Sequence, residues 1–260
     1  MTFRTKAIVL RSQSWPRQAK FFVLYTPEYG KLKGVAMGAE KIKSKVAGHL
    51  QPFSISEVMI AAGRSVDRIA QARLEQRFSA LGDQYSLYVL ASYVIEVVER
   101  LAKEGVADYH LWNELVSVLT ELNDQGPWAA DDQVRLHLLV RLFAFRVLDR
   151  LGYRPELRHC VSCGKIVTAQ QIFMSVLQGG LLCASCFPAH VEGQPISEAC
   201  VKLLRVSLDR PLTQAARVVC SEIDTRLAIT IIDQLVAVQL HEPLRVSRLL
   251  MPVQESPYFV

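Results

Sequence analysis

The chain has 260 residues, half of them hydrophobic, which suffices for one large domain or for two to three smaller ones. No stretch approaches the roughly twenty apolar residues of a membrane span. Charge is unevenly distributed, because residues 1–80 hold 14 Lys or Arg against 5 Asp or Glu, whereas the remaining 180 hold 16 against 20. This basic region favours a polyanion such as nucleic acid, the alternative being an ordinary solvated surface.

The first 75 or so residues have the pattern of short β-strands separated by turn signals. The run Pro27-Glu28-Tyr29-Gly30 is typical of a turn, because Pro sets φ and Gly accepts positive φ. Strands are predicted at residues 6–11, 20–26, 30–38, 54–61 and 64–72. Five strands in this length predict a small closed barrel, either an OB-fold-like barrel or an SH3-like one.

Basic residues run through this predicted barrel. The segment 41–45, between Gly38 and Gly48, is predicted to be a flexible connection that lays three lysines along a phosphate backbone. The candidate nucleic-acid-binding residues are Arg17, Lys20, Lys31, Lys33, Lys41, Lys43 and Lys45. Aromatic residues interleaved with them could stack on bases, although most strand aromatics are core residues: Phe21, Phe22, Tyr25, Tyr29 and Phe53.

From about residue 80 the hydrophobic spacing becomes helical. Helices are predicted at 87–101, at 111–122, from a cap at Asp131 or Asp132 to a stop at Gly152, from a cap at Ser197 to Leu208, at 222–240, and over a short stretch at 244–250. They are expected to pack as one bundle. The inward side of the fifth helix is assigned to Ile223, Leu227, Ile231, Leu235 and Val238.

The most specific motif is a pair of Cys-x-x-Cys sequences separated by nineteen residues. Its four cysteines, Cys160, Cys163, Cys183 and Cys186, have the spacing of a zinc ribbon. Four thiolates complete a tetrahedral shell and leave no position for substrate, so one structural zinc ion is predicted. Disulfides are the alternative, but no secretory signal opens the chain, and reduced cytosolic thiols favour metal.

The remaining cysteines and histidines are assigned structural roles. Cys200 and Cys220 stand in apolar surroundings and are predicted to be small core residues. His159 and His190 flank the motif and are expected to be neighbours of the metal rather than ligands, because the shell is already complete.

Together these patterns predict a multi-domain α+β fold. A basic OB-fold-like barrel at 1–79 is followed by a helical bundle, at 80–155 and 191–260, into which a four-cysteine zinc ribbon at 156–190 is inserted. The sequence contains no phosphate-binding loop of the Gly-x-x-x-x-Gly-Lys-Ser/Thr type, no His-Glu-x-x-His and no Gly-x-Ser-x-Gly. A P-loop ATPase, a zinc enzyme of the His-Glu-x-x-His type and a hydrolase with a Gly-x-Ser-x-Gly elbow are therefore disfavoured.

Local runs carry a family resemblance. They are Gly38-Ala39, Lys43-Ser44-Lys45, Leu50-Gln51-Pro52-Phe53, and Gly152-Tyr153-x-Pro155 leading into Cys160-x-x-Cys163. Together with the order of the parts, they make the chain resemble the bacterial RecO family of recombination mediators over nearly its whole length. The family usually has more arginine where this chain has Glu40, Lys41 and Ile42, which leaves the three lysines of 41–45 as the better DNA candidates.

The resemblance implies a cytoplasmic, nucleoid-associated DNA repair factor that is not an enzyme. Such proteins bind single- and double-stranded DNA, anneal complementary strands and, with RecR and in some systems RecF, load RecA onto DNA coated by single-stranded DNA-binding protein. They also contact the acidic, apolar-ended tail of that coating protein through the helical domain. Arg135, Arg141 and Arg146 have suitable chemistry for that tail, the alternative being a solvated face.

Two other functions compete with this one. A zinc-containing transcriptional or RNA-binding regulator without annealing activity would also suit a barrel and a ribbon. A metal hydrolase or deaminase is disfavoured, because the shell is all cysteine and the glutamate-bearing zinc motif is missing.

Overall fold

The computed structural model describes residues 2–41, 44–124, 130–168, 171–189 and 192–250. The chain forms two compact units, Met1–Gln125 and Gly126–Val260. The first unit opens with a five-stranded barrel and continues into helices, and the second combines helices with a small sheet. The predicted α+β class is confirmed. No helix in the described ranges is long and apolar enough to cross a membrane.

The barrel is closed, with strand order β1-β2-β3-β5-β4. Its strands are β1 (Thr2–Trp15), β2 (Ala19–Thr26), β3 (Gly30–Ala36), β4 (Ser54–Ala61) and β5 (Asp67–Arg77). Strand β1 is longer than predicted because it serves two neighbours: its first half pairs with β4 and its second half with β2, which closes the barrel. Strand β5 pairs with β4 along most of its length and with β3 only at its start.

The connection between β3 and β4 contains a short helix, α1 (Lys45–His49), which begins after Ser44 accepts a hydrogen bond from the N–H of Ala47. The expectation of a flexible connection across 41–45 is therefore wrong at Lys45, whose backbone is helical. Ile42 and Lys43 lie outside the described residues.

Apolar side chains from every strand and from the β3–β4 connection fill the barrel. The buried cluster consists of Ala7, Val9, Phe22, Leu24, Ala36, Ala39, Leu50, Val58, Ile60 and Ile69. Four of the five aromatic residues considered for base stacking are buried: Phe21, Phe22, Tyr25 and Phe53. The fifth, Tyr29, packs on Phe3 with ring centroids 4.2 Å apart. Stacking on bases is wrong for the four buried residues, because their rings pack inside the protein.

Three helices complete the first unit: α2 (Ser79–Asp83), which was not predicted, α3 (Tyr85–Leu101) and α4 (Tyr109–Asn123). Asp108 caps α4 by accepting a hydrogen bond from the N–H of Leu111. The Trp112 ring of α4 stacks on Tyr25 of β2, with centroids 6.4 Å apart. Helix α3 joins β1 through an ion pair between Arg11 and Glu99, at 2.9 Å. These contacts bind the helices to the outer face of the barrel.

The second unit contains the other predicted helices. Its elements are α5 (Ala130–Arg150), β6 (Ile172–Ser175), β7 (Gly180–Cys183), β8 (Gln194–Ile196), α6 (Glu198–Asp209), α7 (Leu212–Ala215) and α8 (Glu222–Leu240), with 3-10 turns at Phe187–Ala189 and Val246–Leu249. Gly152 ends α5 as predicted: its φ is +89°, and the N–H of Tyr153 bonds back to the carbonyl of Leu148. The predicted cap at Ser197 is also confirmed, since its hydroxyl accepts from the N–H of Cys200. Asp131 and Asp132 have no described side chain.

Helix α8 packs chiefly on α5 and more lightly on α6. Its buried face comprises Thr225, Ala228, Ile229, Ile231, Ile232, Leu235, Val236 and Ala237. The assignment of Ile223 to the inward side is wrong, because this residue is 80% exposed in the first turn of the helix. Arg141 of α5 is almost fully buried and reaches Asp233 of α8 at 3.3 Å, so it links the two helices instead of forming a solvated face.

Candidate metal centre and nucleic-acid interface

The four cysteines of the repeated motif converge in the second unit. Their sulfur atoms all lie within 4.8 Å of one another, and Cys163 Sγ is 3.9 Å from Cys183 Sγ. Metal–sulfur bonds of about 2.3 Å in a tetrahedron imply a separation of roughly 3.8 Å between sulfur atoms. The donor set and its dimensions therefore fit one four-coordinate metal ion.

Backbone hydrogen bonds shape the two turns that carry these cysteines. The N–H of Gly164, at φ +73°, donates to the carbonyl of Cys160, which folds the first turn tightly. The N–H of Cys186 donates to the carbonyl of Cys183 in the second turn. Strand β7 ends at Cys183 and pairs with β6 in a sheet of order β7-β6-β8. Two turns held on a small sheet give the geometry of a ribbon with a closed site.

The thiols differ in acidity according to their surroundings. Burial acts to raise the pKa of Cys160, but N–H groups of Cys183, Cys163 and Ser162 lower it to about 6. A hydrogen bond from Ser162 lowers the pKa of Cys186, yet the neighbouring thiols of Cys183 and Cys163 raise it to about 11. Four sulfurs this close repel one another as anions, so a cation is needed to hold all of them as thiolates.

The other candidate side chains near the ribbon are separate from this cluster. The Nδ1 atom of His159 lies 3.5 Å from Glu156, and no histidine joins the four-sulfur group within the described ranges. His190 is outside those ranges. Cys200 is buried as predicted, whereas Cys220 is only partly buried.

The seven candidate DNA-binding residues of the barrel have different environments. Lys31 Nζ donates to the carbonyl of Glu99 at 2.7 Å, and Lys33 pairs with Glu104. Burial lowers the pKa of Lys31, although Glu104 and Glu99 oppose this change. These two lysines therefore join the barrel to the end of α3 and the residues that follow it.

Three other candidates lie at one end of the barrel. Arg17 is exposed in the β1–β2 turn, Lys20 is partly buried at the start of β2, and Lys41 is exposed after β3. The N–H of Glu40 donates to the carbonyl of Gln18 at 3.1 Å, which brings the two connections together. The side chain of Lys45 is not described, so the position of its ammonium group stays a prediction.

The β1–β2 turn holds an unusual backbone. Arg17 has φ +65° and Gln18 has φ +56°, so two consecutive residues other than glycine occupy the left-handed region. Such residues cost on the order of 1 kcal/mol each, and they concentrate at functional positions. The turn thus presents a charged side chain at a conformational cost that glycine would avoid.

Sequence patterns did not identify several further candidate residues at this end of the barrel. Strand register places Phe21 opposite Val35, and Val35 opposite Arg68, so these side chains lie on one face of the sheet. Trp15 stacks on Phe21 with centroids 5.3 Å apart and is 38% exposed. Arg64 is exposed in the β4–β5 connection, which leads into β5 beside the end of β3. Only strand register and burial reveal this set, because its members are distant in sequence.

The second unit contains a cavity of about 530 Å³ lined by α5, by the segment joining α7 to α8 and by the start of α8. Its lining includes apolar Leu138, Val218 and Val219, and three arginines, Arg135, Arg217 and Arg226. Glu222 also lines the cavity and pairs with Arg226 at 2.6 Å. Of the arginines considered for an acidic tail, only Arg135 lines this cavity. Arg141 is buried against Asp233, and Arg146 donates to the carbonyl of Arg210.

A basic OB-fold-like barrel joined to a four-cysteine ribbon defines a class of nucleic-acid-binding protein. Family models agree: recombination protein O N terminal matches residues 1–78, and recombination protein O C terminal matches residues 82–248. The chain belongs to the RecO family of DNA repair proteins, which confirms the resemblance inferred from its motifs.

Curated relatives are similar to this chain over most of their length. Three of them, each named DNA repair protein RecO, come from Desulforudis audaxviator, Roseiflexus sp. and Dehalococcoides mccartyi. They are 34%, 33% and 32% identical over 210, 210 and 203 residues, which is 81%, 81% and 78% of this chain and 80%, 71% and 77% of the respective relative.

Proposed function

We propose that this protein is a non-enzymatic recombination mediator that binds single- and double-stranded DNA and anneals complementary strands. One observation carries the proposal: the cations at one end of the barrel, all exposed except the partly buried Lys20, have no acidic partner among the described residues, whereas those on the rest of the barrel are mostly paired. The cations at this end are Arg17, Lys20, Lys41, Arg64 and Arg68. The paired ones are Arg4, Lys6, Arg11, Lys33 and Arg73.

The unpaired group suits a phosphate backbone. Each cation that reaches a phosphate releases condensed counterions, which favours binding regardless of sequence. The exposed ring of Trp15, supported from below by Phe21, offers a face on which a base of any identity can stack. Lys43 and Lys45 adjoin Lys41 in sequence, and we include them in this surface.

Two of the seven sequence candidates are left out of the proposed surface. Lys31 and Lys33 satisfy the carbonyl of Glu99 and the carboxylate of Glu104. Withdrawing them toward a phosphate would break these contacts, and the net gain from such an exchange is small. We propose that they hold the barrel to α3.

The four-cysteine cluster suits zinc better than other common ions. Four thiolates in a tetrahedron match the preference of Zn²⁺ for sulfur, and the shell has no open position. The ion would then stabilise the ribbon and take no part in chemistry. Its ligands would be Cys160, Cys163, Cys183 and Cys186.

Partner proteins complete the proposal. We infer that the chain acts with RecR, and in some systems RecF, to load RecA onto strands coated by single-stranded DNA-binding protein, at the nucleoid. The cavity of about 530 Å³ is our candidate site for the tail of the coating protein. Its apolar residues suit the apolar end of that tail, and Arg135 and Arg217 suit its acidic part, whereas Arg226 already pairs with Glu222.

An annealing assay tests this function. Complementary strands are coated with single-stranded DNA-binding protein and mixed with the full-length chain without nucleotide. Annealing without ATP is expected, and the substitution Val218→Asp should abolish it on coated strands while leaving bare strands unaffected. Sequence-selective binding of DNA or RNA without annealing would instead identify a transcriptional or RNA-binding regulator.

A further inference from the structure

A groove of about 650 Å³ lies beside strand β5 and is separate from the proposed DNA surface. Four consecutive residues of β5, Ala70 to Arg73, line it. Successive side chains of a strand point to opposite faces of the sheet. A cavity lined by four residues in a row therefore reaches both faces of the strand at its edge. On one of these faces it extends over Glu57 and Met59 of β4, which lie opposite Arg73 and Gln71.

Strand pairing explains why this edge is open. Strand β5 pairs with β4 from Arg68 to Arg77, but with β3 only at Asp67 and Arg68. Beyond Arg68, helix α1 packs beside β5, and no other described strand pairs with it on that side. The barrel is closed by a short contact, and the rest of the β5 edge is left without a neighbouring strand.

Main-chain groups of β5 point into the groove. The N–H of Leu74 points away from β4, because it donates to Nδ1 of His49 in α1 at 3.3 Å. Residues two apart in a strand direct their N–H and C=O groups to the same side. The register with β4 is regular from Gln71 to Leu74, so Ala72 also directs its N–H and C=O groups away from β4.

The side chains around this edge combine small apolar groups with positive charge. Val46 of α1 and Met59 of β4 line the groove beside the two alanines of β5. Arg4 and Arg73 approach the same carboxylate oxygen of Glu57, at 3.2 and 3.9 Å. Arg73 also approaches Glu75, which pairs with Lys6. Three cations therefore meet two carboxylates, so this side of the groove keeps one net positive charge.

We propose that the β5 edge is a docking site for an extended, acidic segment of a partner protein, which adds as a further strand beside β5. An open strand edge supplies the main-chain hydrogen bonds of such an addition, and neighbouring side chains supply its selectivity. The charge favours carboxylates in the partner. A second copy of this chain would bring its own Arg4 and Arg73 against these arginines, so like charges disfavour pairing between two copies.

The probe for this site is a fluorescein-labelled ten-residue peptide of alternating Glu and Val. Its anisotropy is measured with the full-length protein, and a Lys–Val peptide is the charge control. The Glu–Val peptide should bind and should slow amide hydrogen exchange in β5. Ala72→Pro removes an N–H that does not serve β4, and Arg73→Glu reverses the charge; each is expected to weaken peptide binding at least tenfold.

Two controls separate this proposal from the proposed function. Lys41→Ala should leave peptide affinity unchanged, while Ala72→Pro and Arg73→Glu should leave DNA annealing unchanged, which also shows that they fold. Failure of the wild type to bind the peptide, equal binding by Arg73→Glu, or exchange protection outside β5 would overturn the proposal. A dimer in sedimentation that Ala72→Pro converts to a monomer would assign the edge to a second copy and would also overturn it.

Discussion

The barrel and the cysteine ribbon are stabilised in different ways. Ten buried side chains from five strands and the β3–β4 connection share the barrel core. The ribbon has strands of only three or four residues, and one ring pair, Phe173 on Phe187 at 3.7 Å, accounts for much of its aromatic packing. A distributed core tolerates changes at the surface, whereas a small fold that depends on a metal fails when one ligand is lost. Surface substitutions in the barrel should therefore change function without unfolding it. Substitution of a cysteine ligand in the ribbon should instead change its stability.

Loss of a cysteine should have the largest effect. Structural zinc contributes on the order of 10 kcal/mol to the folding of small sites. Cys183→Ser is expected to remove the zinc and to unfold the ribbon, with faster amide exchange in β6 and β7, while the barrel strands keep their protection. Metal analysis together with hydrogen exchange checks this, and Cys220→Ser is the matched control. A variant without zinc whose ribbon exchanges as slowly as the wild type would contradict it.

Removing the unpaired cations of the barrel should have the second largest effect, which is a loss of DNA affinity. The triple substitution of Arg17, Lys20 and Lys41 by Ala is expected to weaken binding to all sequences about equally. It should also flatten the slope of log affinity against log salt by roughly 0.7 per lost contact on single strands. A fluorescence salt titration measures both quantities. Replacing Lys41, Lys43 and Lys45 together by Ala should have the same effect on affinity and on the salt slope. Equal salt slopes in the mutant and the wild type would show that these residues only keep the surface soluble.

A matched substitution of paired cations should separate charge from position. Arg4→Ala with Lys6→Ala removes two positive charges whose partners are Glu57 and Glu75. Because each of these cations already makes an ion pair, neither is expected to reach a phosphate, and the salt slope should stay within experimental error of the wild type. Their ion pairs are exposed, so the loss of stability should be about 1 kcal/mol or less. A slope as flat as that of the unpaired variant would show that net charge alone governs binding.

The smallest expected effect lies in the β1–β2 turn. Arg17→Gly removes a cation and relieves a left-handed backbone at φ +65°. The free energy of unfolding should rise by up to about 1 kcal/mol, while DNA affinity falls. Chemical denaturation and DNA binding are measured on the same protein, with Gln18→Gly as the control that relieves the turn without losing charge. A loss of stability in both variants would mean that the turn is not strained.

Sequence patterns predicted the structure correctly where it depends on hydrogen bonds and contacts within a few residues. Alternation and turn residues located all five barrel strands, β4 at its observed bounds of Ser54–Ala61. The spacing of the cysteines predicted that their four sulfur atoms form one cluster. A tight turn is enough to bring the two cysteines of each pair together, and a hairpin is enough to bring the two pairs together. Caps and stops at Ser197 and Gly152 were found for the same reason, since each is settled by hydrogen bonds within a few residues.

The candidate site in the barrel needed tertiary structure. The first 80 residues include 14 basic residues, but the sequence does not show which of them form an ion pair with a carboxylate. Lys31 and Lys33 look like Lys41 in the sequence, yet the fold places them beside Glu99 and Glu104. Likewise Ile223 fits the helical period of α8, but it is exposed in the first turn, and the buried face of the helix begins at Thr225.

The sequence by itself determined the barrel, the longer helices and the four-sulfur cluster, because turns, caps and hydrophobic period act over a few residues. Only the tertiary structure decided which cations remain without a partner, that Trp15 and Arg68 lie on the same face as Phe21, and that β5 keeps an open edge. Those properties depend on strand register and on contacts between residues up to about seventy positions apart, such as Lys31 and Glu99. No periodicity along the chain encodes such pairings, since they arise when the strands close into a barrel.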